Sequence, residues 1–162
     1  MNPINITLST KSVLQAKSEL ERIRNGIPDA MDNARLELAR LGRDRAEMIL
    51  ATSDGTSTLM GSMKVSHGGS YTSLYTDIPW AVYIEYGTGI VGEQSPHPAP
   101  ETANWIYDIN SHGEAGWFYW IRSGVHWTKG QIANAFLYTT GQWLVTQAPQ
   151  VVGKHIKGLR KP

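Results

Sequence analysis

The chain has 162 residues, 41% hydrophobic and 18% charged, with a formal net charge of +1. That suits one compact domain able to bury a core and gives no global attraction to nucleic acid. The absence of cysteine excludes disulfides and thiolate metal sites and fits a reducing cytoplasm. No apolar run approaches a membrane-spanning length, and residues 1–10 lack the basic-then-apolar pattern of a signal peptide. Six Trp and seven Tyr against two Phe form the one unusual ratio. Rings with a polar edge are favoured where part of the ring stays wet, which leans toward interfaces or a carbohydrate-like ligand. A loop-rich fold with small local cores is the plainer alternative.

In chain order, Ile4, Ile6 and Leu8 alternate, which predicts an extended arm over residues 1–10 able to add to a neighbouring sheet. Ser12 and Gln15 have capping-box spacing, and Val13, Ala16, Leu20 and Ile23 keep helical spacing to a stop at Asn25-Gly26. Pro28 suits the first turn of a second helix, with Asp29 and Asp32 near its positive end. Met31, Ala34, Leu38, Leu41 and Met48 predict its buried stripe, down to about Ala51. The mixed charges of Arg35, Glu37, Arg40, Arg43, Asp44, Arg45 and Glu47 read as a solvated surface.

From Ser53-Asp54-Gly55 the period changes. Leu59, Gly61, Met63 and Val65 predict one face of a strand reaching His67, and His67-Gly68-Gly69-Ser70 predicts a hairpin turn into Tyr71–Thr76. Pro79 favours a short helix through Glu85 with Val82, Tyr83 and Tyr86 inward. Residues 87–116 read as an irregular loop rich in Gly, Pro and His, and loops of that length are usually functional. Trp117–Ile121 and Val125–Thr128 predict an aromatic hairpin across Arg122-Ser123-Gly124. A last helix from about Gln131 or Asn134 carries Phe136, Leu137, Trp143 and Leu144 until Pro149, leaving 149–162 as a basic tail.

Four kinds of chemistry are open to these residues. His97, Asp108, His112, Glu114 and His126 fall in or beside the long loop and could ligate zinc, but they match no metal-binding spacing. Gly87-Thr88-Gly89 invites a phosphate reading, yet Ile90-Val91-Gly92 and then proline follow instead of a nucleotide-loop pattern. A backbone needing positive dihedrals, or close approach of another chain, explains these glycines better. Glu85, between Ile84 and Tyr86, must be paired or hydrogen-bonded if buried. A catalytic role would need Glu93, Glu101 or Asp108 beside it, whereas a structural role would have it cap amides of the glycine turn or pair with a neighbour's arginine. Lys154, His155, Lys157, Arg160 and Lys161 suit the negative end of a helix more simply than DNA phosphates.

Tyr83-Ile84-Glu85-Tyr86-Gly87-Thr88 closely resembles the aromatic-aliphatic-Glu-aromatic-Gly-Thr core of the neck, or tail-completion, protein family of tailed bacteriophages. Gly55, Leu59 and Ser62 are similar to that family's first-hairpin positions. Ala135-Phe136-Leu137 is similar to the start of its last helix, where Ala135 replaces the usual proline. Ser95 to Trp127 looks like a Trp-rich insertion of some members, and the resemblance covers roughly residues 11 to 148.

The resemblance implies an α+β fold: a long N-terminal helix and a C-terminal helix packed on a small antiparallel sheet, with a long Trp-rich insertion over 87–127. It implies a non-enzymatic virion protein with no cofactor or metal, made in the host cytoplasm. Copies would form a ring around the genome's path, between the portal-adaptor complex with its head-completion proteins and the tail tube or its terminator. Neither a membrane nor a specific nucleic-acid sequence would be a partner. Its structural and interface residues would be Tyr83, Glu85, Tyr86, Gly87, Thr88, Gly89, Trp117, Trp120 and Trp127. The competing expectation is a cell-wall-active hydrolase or carbohydrate-binding module using the Trp/Tyr loop.

Overall fold

The computed structural model describes residues 9–53, 57–107, 115–121 and 123–159. Residues 1–8 of the arm expected over 1–10, Asp54-Gly55, Asp108, His112, Glu114, Arg122 and the last basic residues, Arg160 and Lys161, lie outside them, while Thr10 already belongs to the first helix. The fold is α+β, with a long N-terminal helix, a C-terminal helix and small antiparallel sheets. Among the described residues the strands form two separate two-stranded sheets, not one. Among the described residues no helix is long and apolar enough to cross a membrane. Residue contacts divide the chain into two compact units, residues 1–38 with 147–162 and residues 39–146.

Helix α1 (Thr10–Ala51) is continuous for 42 residues. Its start is a reciprocal cap one turn before the expected one: Ser9 Oγ accepts the Ser12 N–H at 3.1 Å, and Ser12 Oγ accepts the Ser9 N–H at 3.1 Å. The expected stop at Asn25-Gly26 and restart at Pro28 are absent, and Pro28 lies inside the helix. Gly26 serves close packing instead, since a Cβ there would stand 2.7 Å from Leu159 Cδ2. Asp32 is therefore mid-helix, where it pairs with Arg35.

Helix α5 (Phe136–Gly158) likewise runs through Pro149 into the stretch expected to be a tail. A proline in a helix interior costs on the order of 3 kcal/mol, so packing must outweigh it. In the first unit α1 and the end of α5 run antiparallel. Leu159 meets Gly26, while Lys154 Nζ and His155 Nε2 donate to Glu37, each at 2.8 Å.

The Lys154 ammonium, and His155 after it, hold the Glu37 carboxyl below the usual carboxylate range. A lowered folded value means the contribution is fully present above the ordinary carboxylate range. It is lost as pH falls through the folded value. Thermal melts of wild type and Glu37→Gln should therefore differ at pH 7, and by less at pH 3. An equal difference at both pH values would refute this linkage.

The second unit holds the main core, formed by Ala46, Leu50, Leu59, Met63, Ala81 and Phe136. The expected stripe on α1 was drawn through large side chains, but Met31 and Met48 are exposed. The buried positions are Ala30, Ala34, Ala39, Gly42, Ala46 and Leu50. Small residues at these steps let helices approach closely; a Cβ on Gly42 would be 2.9 Å from Leu144 of α5.

Leu59, expected in a strand, is fully buried in the one-turn helix α2 (Ser57–Met60). Strands β1 (Lys64–Gly68) and β2 (Tyr71–Tyr75) pair from Lys64↔Tyr75 to Gly68↔Tyr71. Gly69, at φ +56°, makes the expected turn. Helix α3 (Ala81–Tyr86) points Ala81 and Glu85 inward, whereas Tyr83, expected inside, is half exposed.

The stretch expected to be irregular contains helix α4 (Gly89–Gln94) and a 3-10 turn at Pro100–Ala103. Strands β3 (Trp117–Ile121) and β4 (Gly124–Thr128) form the expected aromatic hairpin, in register Trp117↔Thr128 through Ile121↔Gly124.

Candidate functional site

Glu85 organises the region around the resemblance motif. Its carboxylate is 5% exposed, and it projects from α3 toward the start of α5. Oε2 accepts the Leu137 N–H at 2.8 Å, and Oε1 accepts the Tyr138 N–H at 2.8 Å. The first amides of a helix have no partner within it, and a side-chain acceptor normally supplies one. Ala135, just before α5, has no such acceptor, so Glu85 caps the helix from some fifty residues away. A negative group at that end also complements the helix dipole.

Backbone bonds fasten the same junction, with Asn134 N–H donating to Ile84 O at 2.8 Å and Ala135 N–H to Glu85 O at 3.0 Å. Glu85 thus caps backbone amides, as the structural alternative expected, but those of α5 and not those of the glycine turn.

The remaining donor to Glu85 is His97, 3% exposed, whose Nε2 lies 3.1 Å from Oε1. The Ala99 N–H donates to His97 Nδ1 at 3.0 Å, which assigns the ring proton to Nε2 and makes it the donor to Glu85. The His97 N–H donates to the Tyr107 hydroxyl at 3.0 Å, and its ring lies against Tyr86 and Tyr138. Both ring nitrogens are engaged, so His97, the first residue weighed as a zinc ligand, is a buried structural histidine.

Glu93 and Glu101, weighed as acid partners for Glu85, are exposed. His126 lies on β4 and contacts Ser123 Oγ at 3.0 Å. Among the described residues no group of three His, Asp or Glu could hold a metal.

The glycines after Glu85 are explained by backbone geometry. Gly87 has φ +78° and Gly89 φ +60°. A Cβ on Gly87 would lie 2.7 Å from Ala133 N, and one on Gly89 would lie 2.4 Å from Lys129 O. The approaching strand belongs to the same chain: Thr88 bridges Gln131, and Gly89 bridges Gly130. The amides that a phosphate would need are occupied, with Gly89 N–H on Tyr107 O at 2.8 Å and Val91 N–H on Lys129 O at 3.3 Å.

The aromatic residues divide into two groups. Trp105 stacks on Tyr86 at 5.4 Å, meets Tyr83 edge-on at 5.7 Å and donates its indole N–H to Gly87 O at 3.0 Å. With Tyr83, Tyr107, Trp117 and Tyr119 it lines a groove of about 550 Å³. On the other face of the hairpin Trp120 is 81% exposed, Phe118 66% and Trp127 50%, with Val125 beside them. Phe118 and Trp127 pack edge to face at 4.8 Å.

The nine motif residues therefore separate. Tyr83 through Gly89 and Trp117 gather around the groove and the helix junction, while Trp120 and Trp127 lie on the outer face. Sequence reasoning missed Trp105, Tyr107 and Gln131, whose side-chain amide donates to Tyr83 O at 2.8 Å. It also missed the pairing of His97 with Glu85. One signal was available: a helix beginning at an alanine needs an acceptor from elsewhere, and Glu85 was the acid lacking a partner.

Comparison with family models, with characterised proteins and with solved structures returns no match.

Proposed function

We propose that this chain is a structural virion protein of the junction between the head and tail of a tailed bacteriophage. In this reading, copies form a ring between the portal-adaptor complex and the tail tube, and the protein is not an enzyme. The carrying observation is how the resemblance motif is used. Glu85 commits both carboxylate oxygens to holding α5 and His97, and the glycines after it admit the chain's own strand. The motif is thus architecture, and what it presents to solvent is a hairpin face of Phe118, Trp120, Val125 and Trp127. Apolar surface of this kind, rich in Trp, is typical of protein contacts. A ring built from it would join one surface to a different surface on the next copy.

Deleting the gene should leave filled heads and finished tails that do not join, as seen by electron microscopy of lysates. Empty heads, or normal infectious particles, would refute the joining role.

The groove of about 550 Å³ lined by Trp and Tyr rings favours a second reading, a sugar-binding module. Calorimetric titration with soluble peptidoglycan fragments distinguishes it: saturable binding lost in Trp105→Ala would support the module, and no binding would remove it.

A further inference from the structure

The N-terminal half of α1 carries an apolar stripe that is mostly exposed among the described residues, with Ile23 half-buried within it. Val13, Ala16, Leu20, Ile23 and Ile27 recur at steps of three and four, which places them on one side of the helix. Val13 is 51% exposed, Leu20 66% and Ile27 41%. Ala30 and Ala34 continue the same register and are buried, alongside the stretch where Leu159 reaches Gly26 and Lys154 reaches Glu37. The stripe is open where α1 continues beyond that cover.

The spacing is that of a coiled-coil seam, with Val13, Leu20 and Ile27 at the a positions and Ala16 and Ile23 at d. The charges beside it select the occupant. Glu19 takes a g position, and Lys17 and Arg24 take e positions. In a parallel pair each g faces the next e of the other helix, so Glu19 of each copy meets Arg24 of the other. In an antiparallel pair e faces e and g faces g, which opposes cation to cation and acid to acid. Glu19 is 59% exposed and only loosely held by Arg22 of its own helix, at 4.0 Å.

We infer that residues 13–27 of α1 pack in parallel against the same residues of a second copy of this chain. The seam stands apart from the virion reading, since it requires only another copy. Two heptads with alanine at one core position hold weakly, so association depends on concentration.

Sedimentation equilibrium of the full chain over a wide concentration range tests this. Wild type should associate and Leu20→Asp should remain monomeric; because Leu20 is exposed in the single chain, the two should share one Tm at concentrations low enough for wild type to be monomeric as well. Glu19→Lys should weaken association about tenfold, since two symmetric attractions become repulsions. The double reversal E19K/R24E should restore it to within a few-fold of wild type. A wild type that is monomeric throughout would overturn the inference. So would a Leu20→Asp variant that associates as tightly as wild type, or a double reversal no stronger than the single one.

Discussion

Glu85→Ala should lower stability by about 3–5 kcal/mol, because three buried donors lose their acceptor at once. The carboxylate accepts from Leu137, Tyr138 and His97, and alanine leaves those three donors in a space too buried for water to replace the lost acceptor freely. Each unsatisfied buried donor costs about 1–3 kcal/mol, although neighbouring donors relax together and do not add in full. For a chain of this size the loss corresponds to a fall in Tm of about 10 °C. Glu93→Ala, on the exposed side of α4, should stay within about 0.5 kcal/mol of wild type. Paired thermal and urea melts give the comparison. An unchanged Tm for Glu85→Ala would sink the capping account of the motif. Within the proposed virion role, the same variant should reproduce part of the joining defect, because a loosened α3–α5 junction is repeated in every copy of the ring.

Substituting alanine at two glycines should give effects of opposite sign. Gly89 has φ +60°, and a Cβ there would stand 2.4 Å from Lys129 O and 2.8 Å from Trp117 Cζ3. The first neighbour is backbone and cannot rotate away. Gly89→Ala must therefore break the Gly89–Gly130 bridge or displace Lys129 and Gly130, in addition to the strain of a left-handed alanine. A loss above about 4 kcal/mol is expected, or failure to accumulate as folded protein. Gly141 is exposed within α5 and has nothing within 4 Å of its would-be Cβ. Alanine there removes unfolded-state freedom and should stabilise by about 0.5–1 kcal/mol. If both variants lost stability equally, glycine at position 89 would not owe its role to close backbone approach.

The two hairpins were legible because their signals are local. Gly68-Gly69-Ser70 states a turn within a few residues, and the alternation from Trp117 to Ile121 needs only a partner strand across Gly124. The α+β class came from the resemblance, and the change from helical to alternating period after Ser53 agrees with it. Helix ends were not legible. Asn25-Gly26, Pro28 and Pro149 are breakers by local preference, yet α1 and α5 pass through all three. Local preference amounts to a few kcal/mol at most, and packing along the helices exceeds it. The buried face of α1 was misplaced because hydropathy gives weight to Met31 and Met48. Close helix approach selects Ala and Gly, whose contribution lies in what they leave out.

The sequence by itself determined the helical character of the two ends, both hairpin turns and the need of Glu85 for a partner, since each depends on neighbours a few residues away. Only the tertiary structure decided what that partner is. Leu137 and Tyr138 lie more than fifty residues beyond Glu85, and His97 twelve. A carboxylate's requirement for donors is chemical and can be read from its residue type and surroundings. Which donors meet it depends on where the folded chain brings unsatisfied amides close together, and no local pattern carries that distance.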